Sequence, residues 1–235
     1  MKTPSLRIAT YNLQKCVGMD LRRNPRRSLE VLEETGAVLC VLQEADKRLP
    51  PRPAALPHDM VTAERWQILQ FGAPGGSLGW HGNAMLLRGD VIEVVETDQI
   101  DLPGLEPRGA IRADLETAIG PLRVVGVHLG LIARSRRQQC AALRRMMERL
   151  PPRPTVVAGD FNEWGSGADL NAELAPLRLL HSPPSYPAIR PIAALDRFSI
   201  SPDLTAGPVR PHLAQPARIA SDHLPITVEI SPRAQ

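Results

Sequence analysis

Cysteine, lysine and aromatic side chains are all scarce in this chain, and no long apolar run occurs. The three cysteines, Cys16, Cys40 and Cys140, stand far apart among 235 residues, without a C-x-x-C pair. That pattern speaks against a disulfide scaffold or a zinc knuckle and leaves reduced thiols as the expectation. Eight aromatic residues are too few for an extended base-stacking platform. No apolar stretch approaches the ~18 residues of a spanning helix, so no transmembrane segment is expected. The N-terminal Met1-Lys-Thr-Pro-Ser5 runs straight into Leu6-Arg-Ile-Ala-Thr-Tyr11 with no signal-length apolar segment, which makes a cytoplasmic location the expectation. Lysine occurs only at Lys2, Lys15 and Lys47, against 25 arginines, and the net charge of +3 does not by itself imply a nucleic-acid partner.

What is present is a globular composition, 43% apolar and 23% charged, long enough to bury a substantial core. Strands are expected at Leu6 to Asn12, Val38 to Gln43, Asn83 to Leu87, Val91 to Glu96, Ala110 to Thr117, Leu122 to His128, Thr155 to Gly159, Leu195 to Ile200 and Pro225 to Ile230. One helix is bounded by Asn24-Pro25 at its start and Gly36 at its end. A second spans Ser135 to Leu150, and its arginines read as a solvated face. Val91 to Glu96 and Ala110 to Thr117 read as antiparallel strands with one wet face, whereas Val38 to Leu42 and Thr155 to Ala158 read as buried on both. The result is an α/β chain of mixed sheets covered by helices, expected to form one domain over residues 1–235 with its core in 6–230, and to be a monomer. The proline-rich stretches Pro50 to Pro57, Pro151 to Pro154 and Pro183 to Pro191 read as surface loops.

Several apolar runs end in a carboxylate, carboxamide or imidazole. The endings are Thr10-Tyr-Asn12, Leu42-Gln-Glu44, Gly126-Val-His-Leu129, Gly159-Asp-Phe-Asn162, Leu195-Asp196 and Ser221-Asp-His223. Ligands collect at strand ends, where rigid strands let side chains converge, so these six endings are expected to form one site. A lone Asn or Asp after a strand is usually a turn former or cap, and His58, His81, His181 and His212 read as surface or core filler. The ordered set is what carries the reading. Glu44, Asp160, Asp222, Asn12 and Asn162 are hard oxygen donors that favour Mg²⁺ or Mn²⁺ over zinc. In Asp160-Phe-Asn162, strand alternation is expected to put both polar tips on one side and Phe161 in the core.

These motifs, together with Pro107-Arg-Gly-Ala110 and Leu195-Asp-Arg197, occur in the order of the endonuclease/exonuclease/phosphatase superfamily, which the sequence resembles over residues 6 to 230. That group includes deoxyribonucleases, abasic-site endonucleases, sphingomyelinases, inositol polyphosphate 5-phosphatases and deadenylases. The resemblance implies a four-layer α/β/β/α sandwich and Mg²⁺-dependent hydrolysis of phosphodiester or phosphomonoester bonds by in-line water attack, with Mn²⁺ as a substitute. It implies Glu44 as the principal metal carboxylate, with Asn12 and Asp222 beside it. Asp160 would position or deprotonate the attacking water, and Asn162 would hold a phosphoryl oxygen. His223, oriented by Asp196, would contact phosphate or act as acid/base. His128 matches a second catalytic histidine, and Arg108 a phosphate contact. The substrate is a phosphate ester, with nucleic acid (nuclease action) and a phospholipid headgroup or nucleotide (phosphodiesterase action) both open. Three departures stand out. Trp80-His-Gly82 brings no carboxylate to orient His128, no long basic insertion grips a duplex, and no long apolar hairpin of the sphingomyelinase kind is present. The alternative is a catalytically inactive binding module that retains the fold.

Overall fold

Apolar residues run almost without interruption along the central strands and successive side chains point to opposite faces, so each of these strands feeds two different cores and the chain builds two stacked sheets. The computed structural model describes residues 4–47, 53–72, 76–89 and 92–233. Lys2, Pro50, Val91 and residues 73–75 lie outside the described residues. In chain order the elements begin with β1 (Leu6–Asn12), α1 (Pro25–Glu34), β2 (Leu39–Gln43), α2 (His58–Ala63), β3 (Gln67–Ile68) and β4 (Ala84–Leu87). There follow β5 (Glu93–Leu102), β6 (Arg108–Thr117), β7 (Gly120–His128), α3 (Ala133–Arg149), β8 (Thr155–Asp160) and α4 (Ala168–Glu173). The last are β9 (Arg178–Leu179), β10 (Asp196–Ile200), β11 (Leu204–Ala206), β12 (Arg210–Pro211), α5 (Ala217–Ala220) and β13 (Ile226–Pro232).

The first sheet runs β11-β13-β1-β2-β4-β3, with β12 also on β13, and the second runs β5-β6-β7-β8-β10-β9. Both are mixed: β1 is parallel to β2 and β7 to β8, while β13 and β10 flank them antiparallel. Ile8, Val41 and Met85 of the first sheet meet Val124, Val156 and Phe198 of the second in the central apolar layer. The alternate residues Ala9, Cys40 and Leu42 pack under Leu29 and Leu32 of α1. Val125 and Val157 pack under Cys140 and Leu143 of α3. The layer order is therefore the expected α/β/β/α. The Asn24 side chain accepts from Arg27 N–H at 3.2 Å, capping α1, and Gly36 at φ +62° lets the chain leave it. No helix among the described residues is long and apolar enough to cross a membrane.

Three expectations are corrected by the packing. Strand β6 does not have a wet face. Its Arg112 and Asp114 are buried because Arg123 of β7 and Glu96 of β5 pair with them. Nor is the arginine face of α3 wholly solvated, since Arg136 is buried and binds Glu163 and the carbonyls of Gly130 and Leu131. The stretch Pro183 to Pro191 is not merely surface loop: Ser185 within it is fully buried and bonded to Asp196.

Candidate active site

Register alone places half of the polar strand endings together. Across the second sheet, His128 lies opposite Asp160 and Asp196 lies opposite Asp160, so the ends of β7, β8 and β10 form one rung. In the first sheet Asn12 ends β1 beside Gln43, Glu44 follows directly, and Asp222 and His223 sit in the turn leading into β13. Asn12 Nδ2 joins the two sheets by donating to Asp160 Oδ2 at 3.1 Å. The same carboxylate oxygen lies 3.5 Å from His128 Nε2 and 3.8 Å from His223 Nε2. His223 Nδ1 in turn lies 2.7 Å from Asp196 Oδ2, which also accepts from Ser185 Oγ at 2.6 Å.

Local backbone geometry aims these groups. A Cβ on Gly159 would fall 1.9 Å from the Val127 carbonyl oxygen, so only glycine lets β8 approach β7 this closely just before Asp160. Asn162 reaches the site by a turn rather than by strand alternation, which corrects the sequence expectation. β8 stops at Asp160, and Asn162 adopts φ +50°. Its N–H then donates to Asp160 Oδ1 at 2.9 Å while its side-chain amide donates to the Leu129 carbonyl at 2.8 Å. Phe161 is fully buried, as expected. Glu44 also has a left-handed backbone, φ +50°.

Burial and charge then divide the titrating groups. Burial pushes His128 down to about 4, with nearby Arg108 adding to the effect, so its ring is neutral at pH 7. Burial would depress His223 too, but Asp196, Asp160 and Asp222 outweigh it and raise the ring to about 10, making it an imidazolium that donates to Asp196. Asp160 is pushed above the usual carboxylate range by burial and by Asp196, against the pull of both imidazoles. Asp222 is raised by burial and by the charge of Glu44. Burial alone would raise Glu44, yet the Lys15 ammonium and the two histidines hold it below its ordinary value.

A cleft of about 410 Å³ opens beside this cluster, with Lys15, Glu44, Lys47, Arg108, His128 and Leu131 among its walls. Arg108 pairs there with Glu106 at 3.0 Å. Of the nine expected site residues, Glu44, Arg108 and His128 line the cleft, Asn12, Asn162, His128, His223 and Asp196 adjoin Asp160, and Asp222 lies within the electrostatic reach of Glu44. Sequence reasoning missed Lys15, which pairs with Glu44, and Ser185 and Tyr186. The Tyr186 ring rests 4.9 Å from that of His223. Rarity was the one signal for Lys15, since both described lysines of this arginine-rich chain line the cleft. Donor atoms of Asp160, Asp196 and His223 lie within 4.8 Å of one another and could hold an ion, but Asp196 Oδ2 is already committed to His223 and Ser185.

Residues 9–223 match the Endonuclease/Exonuclease/phosphatase family. The uncharacterized protein YbhP of Escherichia coli (strain K12) is 33% identical over 162 residues, 65% of this chain, and the matched part spans only 63% of YbhP. Among solved structures, an endonuclease/exonuclease/phosphatase family protein from Bacteroides thetaiotaomicron has a TM-score of 0.77 at 18% identity over 100% of both chains. TDP2 of D. rerio, complexed with a single strand DNA product, has a TM-score of 0.75 at 16% identity, covering 97% of this chain and 99% of that one. These two are likenesses of fold. With its two stacked sheets and a family match running from β1 to the turn before β13, the chain belongs to the endonuclease/exonuclease/phosphatase family of hydrolytic phosphoesterases.

Proposed function

We propose that the protein hydrolyses a phosphodiester or phosphomonoester with a divalent cation, Mg²⁺ or Mn²⁺, as cofactor. The observation that carries this reading is the convergence on Asp160 Oδ2 of Asn12, His128 and His223 from both sheets. The donor set suits such a cation. Glu44 and Asp222 are partly buried carboxylates close enough for the charge of Glu44 to raise Asp222, Asn12 adds a carbonyl oxygen, and the three thiols are buried. A bound cation would supply charge neutralisation and polarisation of the phosphoryl group.

The chain's own residues divide the remaining work. Asp160 is oriented by Asn12 Nδ2 and Asn162 N–H and takes a proton from water at its Oδ2, the oxygen facing both imidazoles. His223 is held as imidazolium by Asp196 and stabilises the growing negative charge or protonates the leaving oxygen. The second amide hydrogen of Asn162 and the Arg108 guanidinium bind phosphoryl oxygens. His128, neutral and buried, acts as a hydrogen-bond partner and not as a cation.

Hydrolysis of bis-p-nitrophenyl phosphate in Mg²⁺, with and without chelator, tests the proposal. The expected result is turnover that chelator abolishes and that Glu44→Ala and His223→Ala each cut by about 10²-fold or more. No turnover by the parent chain, or parental rates in both variants, would overturn it.

A further inference from the structure

Among the described residues, the six large apolar side chains that are more than 60% exposed all sit on connections at the catalytic end of the sandwich. They are Leu21, Leu105, Leu131, Trp164, Ile189 and Ile192. Among the described residues, no such side chain occurs on the connections at the opposite end. Exposed apolar groups gathered at one face of a protein mark an interaction surface. These are also held in place. Leu131 has its N–H bound by Glu106 Oε1 at 2.8 Å and its carbonyl by Arg136 at 2.6 Å. Ile189 and Ile192 stand at the tip of a small hairpin closed by the Tyr186–Ala193 bridge. Leu21, 86% exposed, keeps a left-handed backbone at φ +60° that a leucine adopts only at a cost. The surface is continuous with the site: Trp164 stacks edge-on against Tyr186 at 5.9 Å, and Tyr186 rests on His223.

Charge follows the same pattern. Arg22 and Arg190 on these connections, and Arg134 in the first turn of α3, are exposed and carry no ion pair among the described residues. Of the acids nearby, Asp20, Glu106 and Glu163 are each bound to an arginine, and Asp101 at the end of β5 is exposed without an ion pair among the described residues. Separate aliphatic points set between free arginines suit a fluid, anionic headgroup layer, into which each point inserts independently. A second copy would need a self-complementary patch, and a nucleic acid gains nothing from isoleucine tips.

We propose that this end of the sandwich docks on a bilayer surface containing anionic phospholipid, with the cleft turned toward the headgroups. Docking requires no turnover, so it stands or falls apart from the hydrolysis proposed above. The test is co-sedimentation with phosphatidylcholine vesicles with and without phosphatidylglycerol. Phosphatidylglycerol should tighten binding by about tenfold or more, and salt should weaken it. Leu21→Asp and Ile189→Asp, on two different connections, should each weaken it by about tenfold while soluble-ester hydrolysis stays at the parental rate. Failure of the parent chain to prefer phosphatidylglycerol vesicles, or parental binding by both variants, overturns the proposal. So does light scattering that finds a dimer which both substitutions dissociate. Hydrolysis without vesicle binding overturns docking alone, whereas vesicle binding without hydrolysis supports docking and overturns the proposed activity.

Discussion

Asp114 on β6 and Asp160 on β8 are buried aspartates in one sheet, two strands apart, and their surroundings push them in opposite directions. Asp114 receives both Arg123 Nε and an Arg123 terminal nitrogen at 2.8 Å, and Arg112 approaches at 3.0 Å. Burial would raise it, but the two guanidiniums hold it below its ordinary value. Asp160 has no such match. It faces another carboxylate across β10, its partners are amides and imidazoles, and it is pushed up. A buried acid whose charge is balanced serves the fold. One left with surplus negative charge marks a place where the molecule expects something positive to arrive.

Exchanging each acid for its neutral isostere sharpens the contrast. Asp160→Asn is expected to cut bis-p-nitrophenyl phosphate turnover by about 10³-fold, the largest effect foreseen. The folded protein should lose no stability at pH 7. A carboxyl raised in the folded state contributes stability below its unfolded pKa and loses it as pH rises through the folded value, so removing its charge relieves the fold. Asp114→Asn should do the reverse, costing about 3 kcal/mol in urea unfolding while leaving turnover within about twofold, because Arg123 then keeps a buried charge without an acidic partner and Arg112 is left with Glu96 and Asp98 alone. If Asp114→Asn proved silent in stability, or Asp160→Asn silent in rate, the comparison would break.

Acid titration sharpens it next. His128 is depressed to about 4 against an ordinary 6.5, so its proton binds the unfolded chain more readily in that interval. Unfolding free energy should therefore fall as pH drops from 6.5 to 4, by about 2–3 kcal/mol from this one group. His128→Gln should flatten that slope, and an unchanged slope in the variant would refute the assignment. The smallest effect expected is that of Ser185→Ala, whose hydroxyl bonds Asp196 and so fixes the His223 ring. It should lower kcat by about tenfold and leave KM and the folding midpoint nearly unchanged. Ser185→Thr should restore part of the loss, which a merely structural serine would not require.

The same contrast separates what the sequence made legible from what it did not. The central strands could be read because short apolar runs are local, as in Leu6–Asn12 and Leu39–Gln43, the layered sandwich because ordered motifs carried the family resemblance, and the first helix because Asn24 and Gly36 mark its ends. The Arg112–Asp114–Arg123 network was hidden. An alternating polar residue looks solvated until β5 and β7 are known to lie on either side. In the site, the strand-ending acids, amides and imidazoles were legible by type and order. Ser185 and Lys15 were not, because their partners lie 11 and 29 residues away in the chain and meet them only in the folded structure. Asn162 was placed for the wrong reason, since its approach depends on a left-handed backbone that alternation does not foresee.

Calorimetric titration of the chain with Mg²⁺, and with Mn²⁺ in parallel, addresses the central claim most directly, using the parent beside Glu44→Gln and Asp114→Asn. The account predicts saturable divalent-cation binding in the parent, its loss in Glu44→Gln and its retention in Asp114→Asn. Equal binding in the parent and Glu44→Gln, or none in any of the three, would contradict it.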